Sequence, residues 1–138
     1  PFFIFGKNAH VSGIGEILIE EKKNNFQKYL LLFPPIHSST QELFSKWDDL
    51  NKSAQESIVM KEENSFLPIF LDNNQEIKSI FYELCEINSF KLSGTGSTIF
   101  CAYNNMNEIK KTLKKIPTQW RHSVCEPLQC SPLLTYLK

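Results

Sequence analysis

The run Tyr29-Leu30-Leu31-Leu32-Phe33, halted by Pro34-Pro35, restricts the fold of this chain more than any other feature. Five consecutive apolar or aromatic side chains leave no polar face, so the segment is predicted to be a strand buried wholly, with cover on both sides. Two successive prolines then deny the chain both the amides and the backbone angles needed to continue. Phe2-Phe3-Ile4-Phe5 reads in the same way, as a strand apolar on both faces. Gly6-Lys7-Asn8 supplies a turn, and residues 9–12 return as the second strand of a hairpin. Gly13-Ile14-Gly15-Glu16 breaks that pattern, and the charged run at 20–25 reads as a solvated turn.

Helical periodicity governs the middle of the chain. Ser39-Thr40-Gln41-Glu42 has the form of a capping box, and a helix is predicted to follow it with Leu43, Phe44 and Trp47 on its apolar side. A short helix is expected over 65–71. The clearest helix covers 74–87, where Ile77, Ile80, Phe81, Leu84 and Cys85 recur at i, i+3, i+4, i+7 and i+8. Strands at 90–93 and 98–103 are joined by Gly94-Thr95-Gly96-Ser97. Asn105 with Glu108 caps a helix whose buried stripe is Met106, Ile109, Leu113 and Ile116, and Lys114 and Lys115 suit the negative end of its dipole. Pro117 ends it, a last strand is expected over 120–125, and a terminal helix over 131–137. Strand, helices, two hairpinned strands, helix and strand make an α+β chain, a ferredoxin-like α/β sandwich.

A length of 138 residues suits one domain with a real core, and eleven phenylalanines add area to it. Fifteen basic and fifteen acidic residues cancel, which supplies no footprint for nucleic acid or for an anionic membrane. Arg121 is the single arginine, so bidentate phosphate clamps are scarce. No apolar stretch has the length of a membrane span or the form of a signal peptide. Cys85, Cys101, Cys125 and Cys130 include no C-x-x-C pair; they read as reduced, buried apolar thiols rather than as disulfides or zinc ligands. The chain opens at Pro1, directly inside an apolar run, and excision from a longer protein would explain that beginning as well as loss of an initiating methionine.

All five glycines fall in two places, at 6, 13 and 15 and at 94 and 96. Glycine serves where backbone turns tightly or approaches a neighbour closely, which makes these loops the functional candidates. Gly94-Thr95-Gly96-Ser97 offers successive amides and two hydroxyls, as a cradle for an anionic group or as an ordinary hairpin turn. His10, His37 and His122 have no acid or cysteine at a spacing that suggests a triad or a metal site. Ser93, Thr95 and Ser97 have no evident base, and two aromatics on one helical face are more usually core than ligand contacts.

Several segments together carry a family likeness. Pro1-Phe2-Phe3-Ile4-Phe5-Gly6, Ala9 and Gly13-Ile14-Gly15-Glu16 resemble the P-x-F-x-x-G…A…G-x-G-E stretch of the 4-diphosphocytidyl-2-C-methyl-D-erythritol kinases, within the GHMP small-molecule kinases. Residues 92–100, Leu-Ser-Gly-Thr-Gly-Ser-Thr-Ile-Phe, resemble the third GHMP motif in the form this kinase uses. The segments from Ser38 to Phe44 and Ser131-Pro132-Leu133 are similar to later stretches in the same order. The resemblance implies phosphorylation by ATP, with magnesium, of the 2-hydroxyl of a cytidine-diphosphate-linked methylerythritol in non-mevalonate isoprenoid synthesis. It implies a cytoplasmic, bacterial setting. It also implies that the catalytic lysine, the catalytic aspartate and the glycine/serine-rich triphosphate loop lie upstream of Pro1, so that no catalytic residue and no cofactor is expected here and the chain alone is expected to be inactive. Residues 1–16 would then be a β-hairpin of the missing N-terminal ATP-binding half, and 17–138 the GHMP C-terminal domain. By the same resemblance Phe44 stacks on the cytosine, Thr40 is a neighbouring polar contact, Ile14 an apolar one, and Gly94, Thr95, Gly96 and Ser97 form the loop behind the active site.

Two departures stand out. Asn64-Ser65-Phe66 replaces a common Asn-Asp-Leu, and Pro35 replaces a common glycine before Thr40. The competing reading is a free-standing ferredoxin-like module that binds a nucleotide or metabolite; the coding sequence upstream of Pro1 separates the two.

Overall fold

A strand as apolar as residues 29–33 needs a neighbour on each edge and cover on at least one face, and the chain folds to supply both. A computed structural model describes residues 2–21, 28–53, 64–128 and 130–136. In order the elements are α1 (Phe2–Phe5), β1 (Ala9–Ser12), β2 (Ile17–Glu20), β3 (Lys28–Phe33), α2 (Thr40–Ser53), α3 (Leu67–Asn73), α4 (Gln75–Cys85), β4 (Lys91–Leu92), β5 (Ile99–Tyr103), α5 (Met106–Leu113), β6 (Arg121–Cys125) and α6 (Leu133–Tyr136). They divide into two compact units, Lys28–Cys125 and the pair of segments Pro1–Gln27 with Glu126–Lys138.

The larger unit holds a four-stranded antiparallel sheet in the order β4-β5-β3-β6. With helices between β3 and β4 and between β5 and β6, this is a βαββαβ arrangement, compatible with the ferredoxin-like fold expected from the order of elements. β3 is central: Leu30 pairs with Cys101 and Leu32 with Ile99 on one side, and the same two leucines pair with Val124 and His122 on the other. Leu30, Leu32, Ile99 and Cys101 are almost wholly buried, together with Leu43 of α2, Phe70 of α3, Ile77, Phe81 and Leu84 of α4 and Ile109 of α5. Each large side chain sealed there contributes roughly 1.5–3 kcal/mol relative to exposure.

The second face of β3 corrects one expectation. Tyr29, Leu31 and Phe33 are half-buried, so burial alternates along the strand rather than being complete. The core cluster of this unit gathers on the face of Leu30 and Leu32, and the other face keeps partial exposure. Pro35 sits at the centre of a three-residue turn closed by the Ile36 amide on the Pro34 carbonyl at 2.8 Å. Its fixed φ suits such a turn, so a proline in place of glycine is accommodated.

The helices keep their predicted positions, with the buried stripe shifted in two of them. On α4, Ile77, Phe81 and Leu84 are buried and Cys85 is exposed, as are Cys125 and Cys130; Cys101 alone of the four free thiols is buried. Burial pushes the Cys101 thiol up to about 11, which leaves it protonated and unreactive at neutral pH. On α5, Asn105 Oδ1 accepts from the amides of Asn107 and Glu108, both at 3.0 Å, and Asn105 Nδ2 donates to Glu108 Oε1. Ile109 and Thr112 are buried there while Met106 is 41% exposed. Thr112 goes inside because it has partners: its Oγ1 accepts from the Tyr103 hydroxyl at 2.8 Å and donates to the Glu108 carbonyl at 3.1 Å.

The smaller unit overturns the reading of its first residues. Phe2–Phe5 form a single helical turn, not a strand, and the hairpin pairs β1 with β2, from Ala9↔Glu20 to Ser12↔Ile17. The apolar pattern called for a strand at 2–5, but β1 takes β2 as its neighbour, and a helical turn satisfies backbone groups locally where no ladder is offered. Gly6, at φ +84°, ends that turn. Its carbonyl accepts from the Ser131 amide at 2.8 Å, and the Leu134 side chain occupies the space a Cβ would need. The charged run predicted as a turn at 20–25 falls mostly outside the described residues. Among the described residues no helix is long and apolar enough to cross a membrane.

The Tyr103–Thr112 bond yields a stability test. Thr112→Val should destabilise the chain by about 1–3 kcal/mol, because a buried hydroxyl loses its acceptor. Adding Tyr103→Phe should cost less than its effect in the wild-type background, since the stranded donor is then gone. Urea denaturation of the four members of this cycle measures the coupling.

Candidate functional site

The site grows from the first turn of α2. Ser39 Oγ accepts the Glu42 amide at 3.3 Å, the forward half of the capping box. With the helix begun at Thr40, Phe44 stands one turn further along the same face. Leu43 turns into the core at 3% exposure, while Phe44 keeps 49% of its surface in solvent. This exposed ring departs from the ordinary expectation that both Phe44 and Trp47 line the core.

Opposite Thr40 lies the loop between β4 and β5. The Gly96 amide donates to the Ser93 carbonyl and the Ser93 amide to the Thr98 carbonyl, both at 2.9 Å, closing a tight turn. Gly94 and Gly96 take φ values of +57° and +90°, a region that disfavours side chains. A Cβ on Gly96 would lie 2.8 Å from the Phe70 ring, whereas one on Gly94 would meet nothing within 4 Å. The close approach that Gly96 permits is therefore to a core phenylalanine.

Two sets of bonds fasten this loop. From the α2 side, Ser38 Oγ donates to the Thr95 carbonyl at 2.6 Å, and the hydroxyls of Thr40 and Thr95 lie 3.0 Å apart. From the other side, Asn64 Nδ2 donates to the carbonyls of Leu92, at 2.9 Å, and Gly94, at 2.7 Å. The Oδ1 of the same side chain accepts the Phe66 amide at 2.9 Å. Phe66 in turn presses edge-on against Phe44, ring centroids 4.8 Å apart at 65°, and against Trp47 at 6.1 Å.

Of the residues singled out from sequence, Thr40, Phe44, Gly94, Thr95, Gly96 and Ser97 thus belong to one unit, and Thr40 and Thr95 touch through their hydroxyls. Ile14 belongs to the smaller unit, at the tip of the β1–β2 hairpin, with its side chain fully exposed. There the G-x-G-E motif has a local logic: the Ile14 amide donates to Glu16 Oε2 at 2.6 Å, and the Glu16 carboxylate fills the space beside Gly13 that a Cβ would take. Glu16 braces the turn that displays Ile14.

Sequence reasoning missed Ser38, Asn64 and Phe66 as contributors. Residues 64–66 stood out only as a departure from a family pattern. The available signal was an asparagine two residues before an aromatic, the form of an Asx turn.

Chemically, Ser38, Thr40, Asn64 and Thr95 are neutral hydrogen-bonding groups beside an exposed aromatic ring. The displaced pKa values belong to other residues: burial raises Cys101, Tyr103 and Cys85, and the hydrogen bond that Lys78 donates to Asp72 raises Lys78. Such a wall can hold a flat ring and uncharged polar groups. None of these four side chains is a base or a cation. Among the described residues no cluster of three or more His, Cys, Asp or Glu could hold a metal ion.

No family model matches the chain. Individual relatives do. It is 33% identical over 143 residues to the 4-diphosphocytidyl-2-C-methyl-D-erythritol kinase of Wigglesworthia glossinidia brevipalpis, an alignment that covers 100% of this chain and 46% of that protein. A protein of the same name from Neisseria gonorrhoeae is 30% identical over 141 residues, covering 98% of this chain and 50% of the relative. A third, from Burkholderia cenocepacia, is 27% identical over 152 residues, covering 99% and 51%. The likeness read from separate motifs therefore runs through the entire chain, which spans about half the length of the curated relatives it matches.

The two loop glycines separate packing from backbone strain. Gly96→Ala should destabilise by about 2–4 kcal/mol, combining the left-handed penalty with overpacking against Phe70. Gly94→Ala should cost about 1–2 kcal/mol, the left-handed penalty alone. Urea midpoints and m-values of the two variants check the difference.

Proposed function

We propose that this chain is the substrate-binding, C-terminal part of an ATP-dependent kinase that phosphorylates the 2-hydroxyl of 4-diphosphocytidyl-2-C-methyl-D-erythritol in non-mevalonate isoprenoid synthesis. One observation carries the reading. The exposed Phe44 ring, the feature that family likeness assigns to cytosine, stands on the same short helical face as Thr40, whose hydroxyl meets the G-T-G-S loop. Similarity along this whole chain to about half the length of proteins named 4-diphosphocytidyl-2-C-methyl-D-erythritol kinase supports it.

In this reading Phe44 takes the base by stacking, which suits any flat π-face, and Thr40 supplies a hydroxyl to the polar groups beside it. Ile14 adds an apolar contact, and residues 1–16 belong to the ATP-binding half. The cluster around Thr40 does not fit ATP with magnesium, because its groups are neutral and a triphosphate calls for cations and a wrapping loop. Those groups, with the lysine and aspartate that activate the hydroxyl, are assigned to the other half of the enzyme. A cytoplasmic bacterial enzyme follows from the same assignment.

Phe44→Ala in the full-length enzyme tests the substrate wall. The KM for the cytidine substrate should rise about tenfold, from stacking worth roughly 1–3 kcal/mol, with the KM for ATP within twofold of wild type. An unchanged cytidine KM would mean that Phe44 is packing only. A second test takes the 138-residue chain alone with ATP, magnesium and the cytidine-diphosphate-linked substrate. No ADP should form above the blank, because positioning and charge stabilisation at the γ-phosphate supply most of the rate in phosphoryl transfer. Turnover near that of a full-length enzyme would overturn the division of labour.

A further inference from the structure

We infer that Asn64 is a positioning residue that couples the aromatic wall to the G-T-G-S loop, so that the substrate's base and its polar groups meet one preset surface. This rests on the substrate assignment just proposed and adds to it a residue that contacts no substrate.

Three bonds from one amide carry the inference. An asparagine that merely opened a helix would need only its oxygen, here spent on the Phe66 amide. Asn64 also directs its Nδ2 to two carbonyls, Leu92 at 2.9 Å and Gly94 at 2.7 Å, which bracket the entry to the loop. Both amide hydrogens have geometric work, and they lie across a gap of about thirty residues in sequence. The consequence travels in two directions. Toward α3, the bond to Phe66 sets the ring that lies edge-on to Phe44, and Phe66 is itself backed by Trp47. Toward the hairpin, the bond to Gly94 fixes the residue before Thr95, whose hydroxyl faces Thr40 and whose carbonyl is held by Ser38.

Phe44 keeps 49% of its surface in solvent, and the Phe66 ring lies edge-on to it. An exposed ring that must stack on a flat ligand gains affinity when its rotamer is set beforehand, because less freedom is lost on binding. Phe66 performs that function from the position where leucine is common in the resembling family, and it depends on Asn64 for its backbone. Ser38 and Thr40 hold the loop at Thr95 and Asn64 holds it at Gly94, so loss of Asn64 removes the fastening at Gly94 from a loop with two glycines.

The experiment uses the full-length enzyme carrying Asn64→Asp, Asn64→Ala or Phe44→Ala, with Thr112→Val as a variant destabilised away from the site. Asn64→Asp keeps the acceptor for Phe66 and loses the donor to Leu92 and Gly94. Both Asn64 variants should raise the cytidine-substrate KM about five- to tenfold, with the ATP KM within twofold. Thr112→Val should lower the melting temperature without moving either KM. Amide hydrogen exchange at residues 94–97 should accelerate in both Asn64 variants and stay as in wild type in Phe44→Ala. A wild-type cytidine KM in Asn64→Asp would overturn the coupling, leaving Asn64 as the opening of the turn before α3. So would unchanged exchange in the loop. If Phe44→Ala leaves the cytidine KM unmoved while loop exchange still accelerates in the Asn64 variants, the substrate assignment fails and the inference fails with it, whereas the hydrogen-bonded latch stands as structure.

Discussion

The antiparallel register of β3 against β5 is the constraint on which the larger unit depends. Leu30 opposite Cys101 and Leu32 opposite Ile99 send the wholly buried side chains of both strands to one face. A slip of one residue would turn all of them toward the other face, so the register is held by the whole core rather than by its hydrogen bonds. The same register decides where the loop falls. Because Leu32 meets Ile99 and β4 folds back on β5 at Leu92↔Ile99, residues 93–98 emerge at the end of the sheet where β3 runs out into Pro34-Pro35. The chain then needs only the stretch 34–39 to bring Ser38 and Thr40 to the loop. A core made for stability thereby positions a polar contact between residues more than fifty apart in sequence.

Polar bonds at this end of the sheet do what packing does elsewhere. Ser38, Thr40 and Asn64 hold the loop through neutral donors and acceptors, each arranged in geometry that needs no ionised group. Neutral fastening adds no strong field of its own at this end of the sheet. The contrast between the two loop glycines has a separate cause. Gly96 is required by the core, because Phe70 occupies the space a side chain would enter, while Gly94 answers only to the backbone. A single motif thus mixes a packing residue with a conformational one, and the letters G-T-G-S do not distinguish them.

The G-x-G-E turn in the smaller unit shows the same economy of means. Glu16 folds back on the amide of Ile14, Gly13 leaves room for the carboxylate, and the isoleucine is left fully displayed. The Glu16 carboxylate is engaged in holding a turn, and the apolar residue is the one presented.

Local patterns determined most of the element types. Leucine runs halted by prolines marked β3, period 3.6 marked α4, and capping residues marked the starts of α2 and α5, because each pattern records a preference of neighbouring residues for one another. The motif order likewise carried the family likeness, and with it Thr40, Phe44 and the 94–97 loop. What local pattern could not supply was the choice among partners. Phe2–Phe5 had the composition of a strand but form a helical turn, while β1 pairs with β2. Met106 gave way to Thr112 because Tyr103 offered a buried hydroxyl to bond. Asn64 and Phe66 acquired their places only when residues about thirty apart were brought together by the sheet. Backbone preference is a property of neighbours along the chain. Burial and hydrogen-bond satisfaction are properties of neighbours in space, and those exist only once the tertiary structure has formed.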